Sequence, residues 1–138
     1  MRPDARELRE RARSHGALTR RELGLRAELA VADFLFAHGF TILGRNVRLG
    51  HLELDVVARH GPLLVVVEVR TRRPGAMVGA FASVTAVKRA RLLRATERLW
   101  RSTVASMRGV QRVRIDVAAV TFDEGKTLVE YAKGAISR

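Results

Sequence analysis

The sequence predicts an α/β protein, a mixed β-sheet flanked by helices in the order α-β-β-β-α-β-β, and three observations carry that prediction. Leu23, Ala27, Ala30, Val31, Phe34 and Leu35 recur at helical spacing ahead of a glycine. Two strand-like runs flank the turn signal His60-Gly61-Pro62. A second helical pattern runs from Val84 to about Val104, with further strand patterns after it.

Each element has its own warrant. The first helix spans about Arg21 to His38, with one apolar stripe, and Gly39 stops it in the position just past the end. Phe40–Val47 reads as a strand through Phe40, Ile42 and Val47. In His51–Arg59, Leu52, Leu54, Val56 and Ala58 alternate with His51, Glu53, Asp55 and Val57, which gives a strand two unlike faces. Leu63–Arg70 is β-branched and forms a hairpin with it. Thr71–Phe81 contains Arg72, Arg73, Pro74, Gly75 and Gly79 and reads as a basic loop. The second helix turns Val84, Val87, Leu92, Ala95 and Leu99 inward and Lys88, Arg89, Arg91, Arg94, Arg98 and Arg101 outward. Val110–Phe122 is a strand, Asp123–Lys126 a turn, and Thr127–Tyr131 a short last strand. Residues 1–20 stand apart as a basic arm, and residues 21–138 form the single domain.

Composition narrows the function. The chain has 138 residues, 47% hydrophobic and 29% charged, enough to bury a core and too apolar for disorder. It has no cysteine, which excludes disulfide scaffolds, thiolate metal sites and cysteine nucleophiles. The longest apolar run, Leu63–Val67, is far short of the roughly 20 residues of a membrane helix, and Met1–Arg21 lacks the apolar stretch of a secretory signal. A cytoplasmic protein with no membrane partner is expected. Lys plus Arg is 26 against 14 for Asp plus Glu, a net charge of +12 that favours polyanions, nucleic acid first. P-loop, dinucleotide-binding, zinc-protease and serine-hydrolase motifs are absent, and seven scattered aromatics do not make a base-stacking surface.

One constellation can do chemistry. With the hairpin turn centred on His60-Gly61, Asp55 faces Val66, Glu53 faces Glu68, and Asp55 lies diagonal to Glu68. Such neighbours sit roughly 7–8 Å apart at the backbone, within reach of a shared ion. Clustered carboxylates repel unless a cation or basic side chains compensate, and hard oxygen donors suit Mg²⁺ or Mn²⁺. The plain alternative is a pair of exposed strand carboxylates bridged to Arg48, Arg70 or Arg72. Glu28 falls on the border of the first helix's stripe, one turn beyond Gly24, where a backbone or ligand can approach closely. His51 shares the acidic face as a histidine in partial contact with solvent, and Asp116 reads as an interior strand acid bonded to Arg112 or Arg114.

These residues form a recognisable pattern. Gly24, Glu28 and Ala32 on the helix are followed by Gly39, Arg45-Asn46, Glu53-Leu54-Asp55-Val56-Val57-Ala58, Val66-Val67-Glu68-Val69-Arg70-x-Arg72, Val84-x-x-x-Lys88 and Arg114-Ile115-Asp116-Val117. Over about residues 20–122 the chain resembles the YraN-like bacterial family, related to archaeal Holliday-junction resolvases in the PD-(D/E)xK nuclease superfamily. The resemblance implies a restriction-endonuclease-like fold and a metal-dependent endonuclease acting on DNA, with branched DNA as one substrate. It implies Asp55, Glu68 and the Val69 carbonyl as ligands of Mg²⁺ or Mn²⁺, Glu28 as a further catalytic acid, Glu53 in support, and Arg70 in the place of the motif lysine. Arg72, Arg73, Lys88 and Arg91 are the expected DNA contacts, and Lys88 is also a candidate to reach in as a substitute lysine. Val31 stands where alanine is usual, and Leu52 where glycine is. Arg70 departs most, because a guanidinium stays protonated and cannot act as a base. A homodimer suits two symmetric cuts, and recombination or repair proteins are the expected partners. The alternatives are a non-catalytic nucleic-acid-binding module of the same fold, and a protein-interaction factor of DNA-processing machinery.

Overall fold

A computed structural model describes residues 4–6, 18–75, 84–104 and 106–137 of the chain. Its elements are α1 (Arg20–Ala37), β1 (Thr41–Leu49), β2 (Leu52–His60), β3 (Leu63–Arg72), α2 (Ala86–Val104), β4 (Arg112–Asp123) and β5 (Lys126–Ile136). The element order is the expected one. Most of the basic arm expected over residues 1–20, and residues 76–83 of the basic loop region, lie outside the described residues.

The five strands lie side by side in sequence order, antiparallel except for the parallel pair β3–β4. A parallel pair needs a long connection, and α2 supplies it. One helix covers each face of the sheet. Ala27, Val31 and Leu35 of α1 pack on Val56, Ala58, Val65, Val67, Ala118 and Val120. Leu92 and Ala95 of α2 pack on Leu52, Leu54, Val57, Leu64, Val66, Ile115 and Val117. Central strand β3 is therefore buried on both sides, which explains the unbroken apolar run Leu63–Val67. α1 begins one residue earlier than expected, at a capping box in which Thr19 and Glu22 exchange side-chain-to-backbone hydrogen bonds. At its other end Gly39 takes φ +87°, as its place past the helix end requires.

Four expectations are corrected. Val87 is 63% exposed rather than inward, because at 100° per residue it stands about 140° around α2 from Leu92. The last strand is 11 residues long and runs to Ile136. It continues because a register shift between Ile115 and Val117, with Gly134 at φ +60°, absorbs the irregularity and lets Ile136 pair with Ile115. The β2–β3 turn falls on Gly61-Pro62, not His60-Gly61: His60 pairs with Leu63 and Val56 with Val67. Gly61 adopts φ +57°, and the Pro62 carbonyl accepts from the amides of Gln111 and Arg112, which fixes the turn against the start of β4. Finally, β2 does not keep one apolar face. Leu52 and Leu54 pack toward α2, but Val56 and Ala58 pack toward α1, so the strand turns over at Asp55.

The irregular β4–β5 edge is clamped by Asp116, which is completely buried. Its carboxylate accepts from Arg114 Nε at 2.8 Å and Nη2 at 3.0 Å, from Tyr131 Oη at 2.5 Å and from the Gly134 amide at 2.7 Å. Every partner belongs to this edge, and Arg114 is the one of the two expected arginines that bonds it. Replacing Asp116 by Ala strands a buried hydroxyl, an amide and a guanidinium, and should destabilise the fold by about 3 kcal/mol. Tyr131→Phe, which removes one bond, should cost about 1 kcal/mol. Urea unfolding followed by circular dichroism measures both, and equal costs would contradict the clamp.

Candidate functional site

The corrected register brings the two expected ligands closer than the sequence implies. The pairing runs to Val56 opposite Val67, and just past that rung the Asp55 and Glu68 side chains meet. Glu68 is 5% exposed. Asp55 Oδ2 accepts a hydrogen bond from the Val69 amide at 2.9 Å, and its carboxyl hydrogen-bonds Glu68. Burial, then the adjacent charge of Glu68, pushes the Asp55 carboxyl up to about 7, against which the Val69 amide acts. Lys88 of α2 reaches in from the other layer, with Nζ 2.7 Å from Glu68 Oε1.

Glu28 joins from α1. Its carboxylate accepts from Asn46 Nδ2 at 2.9 Å, and burial raises its pKa while the Asn46 bond opposes the rise. Glu53 and Glu68 are close enough for their charges to be felt at Glu28. Four carboxylates from α1, β2 and β3 thus share one end of the sheet. Among the described residues, however, no three carboxylate or imidazole groups converge tightly enough to enclose an ion by themselves. Glu53 is exposed and lines the wall of a groove of about 460 Å³, together with His51, Leu52, Glu68, Lys88 and Arg91. His51 is exposed, as expected of a residue in contact with solvent. Arg70 and Arg72 are half-buried on β3, and Arg73 is exposed just beyond it. The space beside Gly24 is open, so no neighbouring backbone uses it. Leu52 is buried against α2.

Asn46 is the site residue that sequence reasoning passed over. It lies within β1 between Arg45, paired with Val56, and Val47, paired with Leu54, and so stands across from Asp55. Its φ is +52°, a conformation for which asparagine is the best-suited residue after glycine. The hairpin twists at this point. On one side the twist turns β2 over at Asp55; on the other it leaves the Asn46 amide facing Glu28. The available signal was an asparagine, a poor strand former, in mid-strand opposite an aspartate.

These features define a three-layer α/β domain with a carboxylate pair at the sheet end, buried at Glu68 and half-buried at Asp55, beside a groove with a basic wall. A profile of the Uncharacterised protein family UPF0102 matches residues 27–120, and the chain belongs to this family, the YraN family. It is 54% identical over 117 residues to a UPF0102 protein of Sorangium cellulosum, covering 84% of this chain and 81% of the relative. A UPF0102 protein of Anaeromyxobacter dehalogenans is 39% identical, with 84% of each chain covered. One of Streptomyces coelicolor is 41% identical over 81% of this chain and 86% of its own.

Two outcomes follow from this geometry. Because the folded-state pKa of Asp55 lies above that of an unfolded aspartate, the folded state holds the extra proton between about pH 4 and 7. In metal-free buffer its contribution to stability therefore declines as pH rises through that window and is flat above it. Asp55→Asn keeps the acceptor for Val69, so it should melt higher than the parent at pH 8 and lose the decline; thermal melts from pH 4 to 9 test this. Asn46→Ala combines left-handed strain with a lost hydrogen bond and should cost about 2 kcal/mol, whereas Asn46→Gly relieves the strain and should cost about 1. Equal costs in urea unfolding would remove backbone strain as the reason for asparagine.

Proposed function

We propose that the protein is a divalent-metal-dependent endonuclease acting on phosphodiester bonds of DNA, with branched DNA as its substrate class. The observation that carries this reading is the Asp55–Glu68 pair, half-buried at Asp55 and buried at Glu68, whose Glu68 lines the Lys88–Arg91 groove. Two carboxylates with one nearby ammonium are stable together only with a proton or a cation, and Mg²⁺ or Mn²⁺ is the cation that suits them. Two carboxylates rather than three also fit, since Mg²⁺ in phosphate sites takes one or two and fills its shell with water and phosphate oxygens.

When bound, the ion supplies Lewis acidity to the scissile phosphate and acidifies the attacking water. Asp55 and Glu68 hold it. The Val69 carbonyl is suited to add a ligand, because N–H and C=O of one extended residue point to the same side and its N–H already meets Asp55. Glu28, held by the Asn46 side chain, is our candidate to accept a proton from the attacking water. Glu53 adds negative charge that draws the cation in. Arg70 holds a phosphate oxygen but supplies no base. Lys88 takes the role of the displaced motif lysine: its ammonium arrives at Glu68 from α2 and stabilises charge on the phosphate.

A second reading rests on Arg70: a non-catalytic DNA-binding module in which the carboxylates are residual. Cleavage of four-way-junction, flap, single-stranded and linear DNA in Mg²⁺ or Mn²⁺, with EDTA controls, separates the two. Asp55→Asn or Glu68→Gln should lower the rate by at least about a hundredfold, and Lys88→Gln by at least tenfold. At limiting metal, cleavage by the parent should rise with pH through about 7, as the Asp55 carboxyl releases its proton to solvent and becomes free to hold the ion. DNA binding without cutting in either metal would establish the module instead.

A further inference from the structure

The basic face of α2 is not uniform, because the fold uses some of its side chains. Lys88 is committed to Glu68. Arg89 donates to the Ser137 carbonyl and ties the chain's end to the helix. What remains is a line: Arg91, Arg94, Arg98 and Arg101 recur at intervals of three, four and three residues, so they share one stripe of the helix, and all four are exposed. Arg98 spends one N–H on the Leu49 carbonyl, which holds its guanidinium beside the β1–β2 turn without removing its other donors. Glu97, the single acidic residue of α2, lies one turn from both Arg94 and Arg101 and leaves Arg91 apart. Arg91, at the other end, is part of the groove wall that contains Glu53 and Glu68.

We infer that this arginine line is the track along which one DNA strand is led to the carboxylate pair. At 1.5 Å per residue the line is about 15 Å long. One strand of duplex presents a phosphate about every 3.4 Å of axis, so the line matches roughly four consecutive phosphates. Guanidinium groups are the side chains best shaped for phosphate oxygens. The footprint therefore runs from Arg91 toward Arg101, and Lys88 belongs to the carboxylates rather than to the track. The inference rests on the DNA reading above but not on catalysis.

The test is DNA binding in EDTA, where no cutting occurs. Fluorescence anisotropy of a labelled four-way junction and a linear duplex is measured from 50 to 300 mM KCl. The protein carries either Arg94→Gln/Arg101→Gln or, as a control of equal charge loss, Lys126→Gln/Lys133→Gln on β5. The track variant should bind at least tenfold more weakly at 100 mM KCl, with a log–log salt slope shallower by about 2, and the control should lose less than threefold. Equal losses in both variants, or none in the track variant, overturn the track while DNA binding stands. No binding by the parent protein overturns both, as does equal affinity for phosphatidylserine vesicles. Binding with the expected losses, followed by no cleavage when metal is added, sinks the nuclease reading alone and leaves the track in place.

Discussion

Two carboxylates held against each other, Glu68 buried and Asp55 half-buried, are the constraint around which the rest of the structure is arranged. Burial and mutual repulsion both disfavour the doubly charged state, and Asp55 answers by holding its proton to about pH 7. The fold keeps the pair close through the Gly61-Pro62 turn, whose register sets Asp55 against Glu68, and through the Val69 amide that holds Asp55. Lys88 contributes a counter-charge at Glu68, and it comes from a different layer of the domain. Holding the pair so close costs stability once both groups are ionised.

The contrast with Asp116 makes the point. That aspartate is buried more completely than Asp55, yet it accepts four hydrogen bonds from Arg114, Tyr131 and Gly134 and has nothing left to offer a ligand. Burial alone does not distinguish the two. What separates them is satisfaction: Asp116 faces donors, whereas Asp55 faces another carboxylate. The basic residues divide in the same way, some locking carbonyls at Leu49 and Ser137, others exposed along α2.

Much of the fold was legible because its elements repeat at fixed periods. The α1 stripe and the Gly39 stop follow from spacing and backbone freedom, and the structure reproduces them. The family pattern pointed to Asp55, Glu68 and Glu28 as members of one acidic cluster, and the three are neighbours. Their detailed arrangement was not legible. A turn placed one residue earlier in the loop changes every partner along a hairpin, and His60-Gly61-Pro62 allows both placements. The reversal of β2 at Asp55 coincides with a positive φ at Asn46 across from it in β1, an irregularity that no count along β2 reveals.

The sequence by itself determined the class of fold, the element order, the strong positive charge and which carboxylates to watch, because these depend on composition and on periods within a single segment. The tertiary structure decided which of them meet. It set Asp55 against Glu68, brought Lys88 to Glu68 and Asn46 to Glu28, and left four arginines in line on α2. Each of these depends on how separate elements pack, and packing distances across layers are not written in the spacing of any one element.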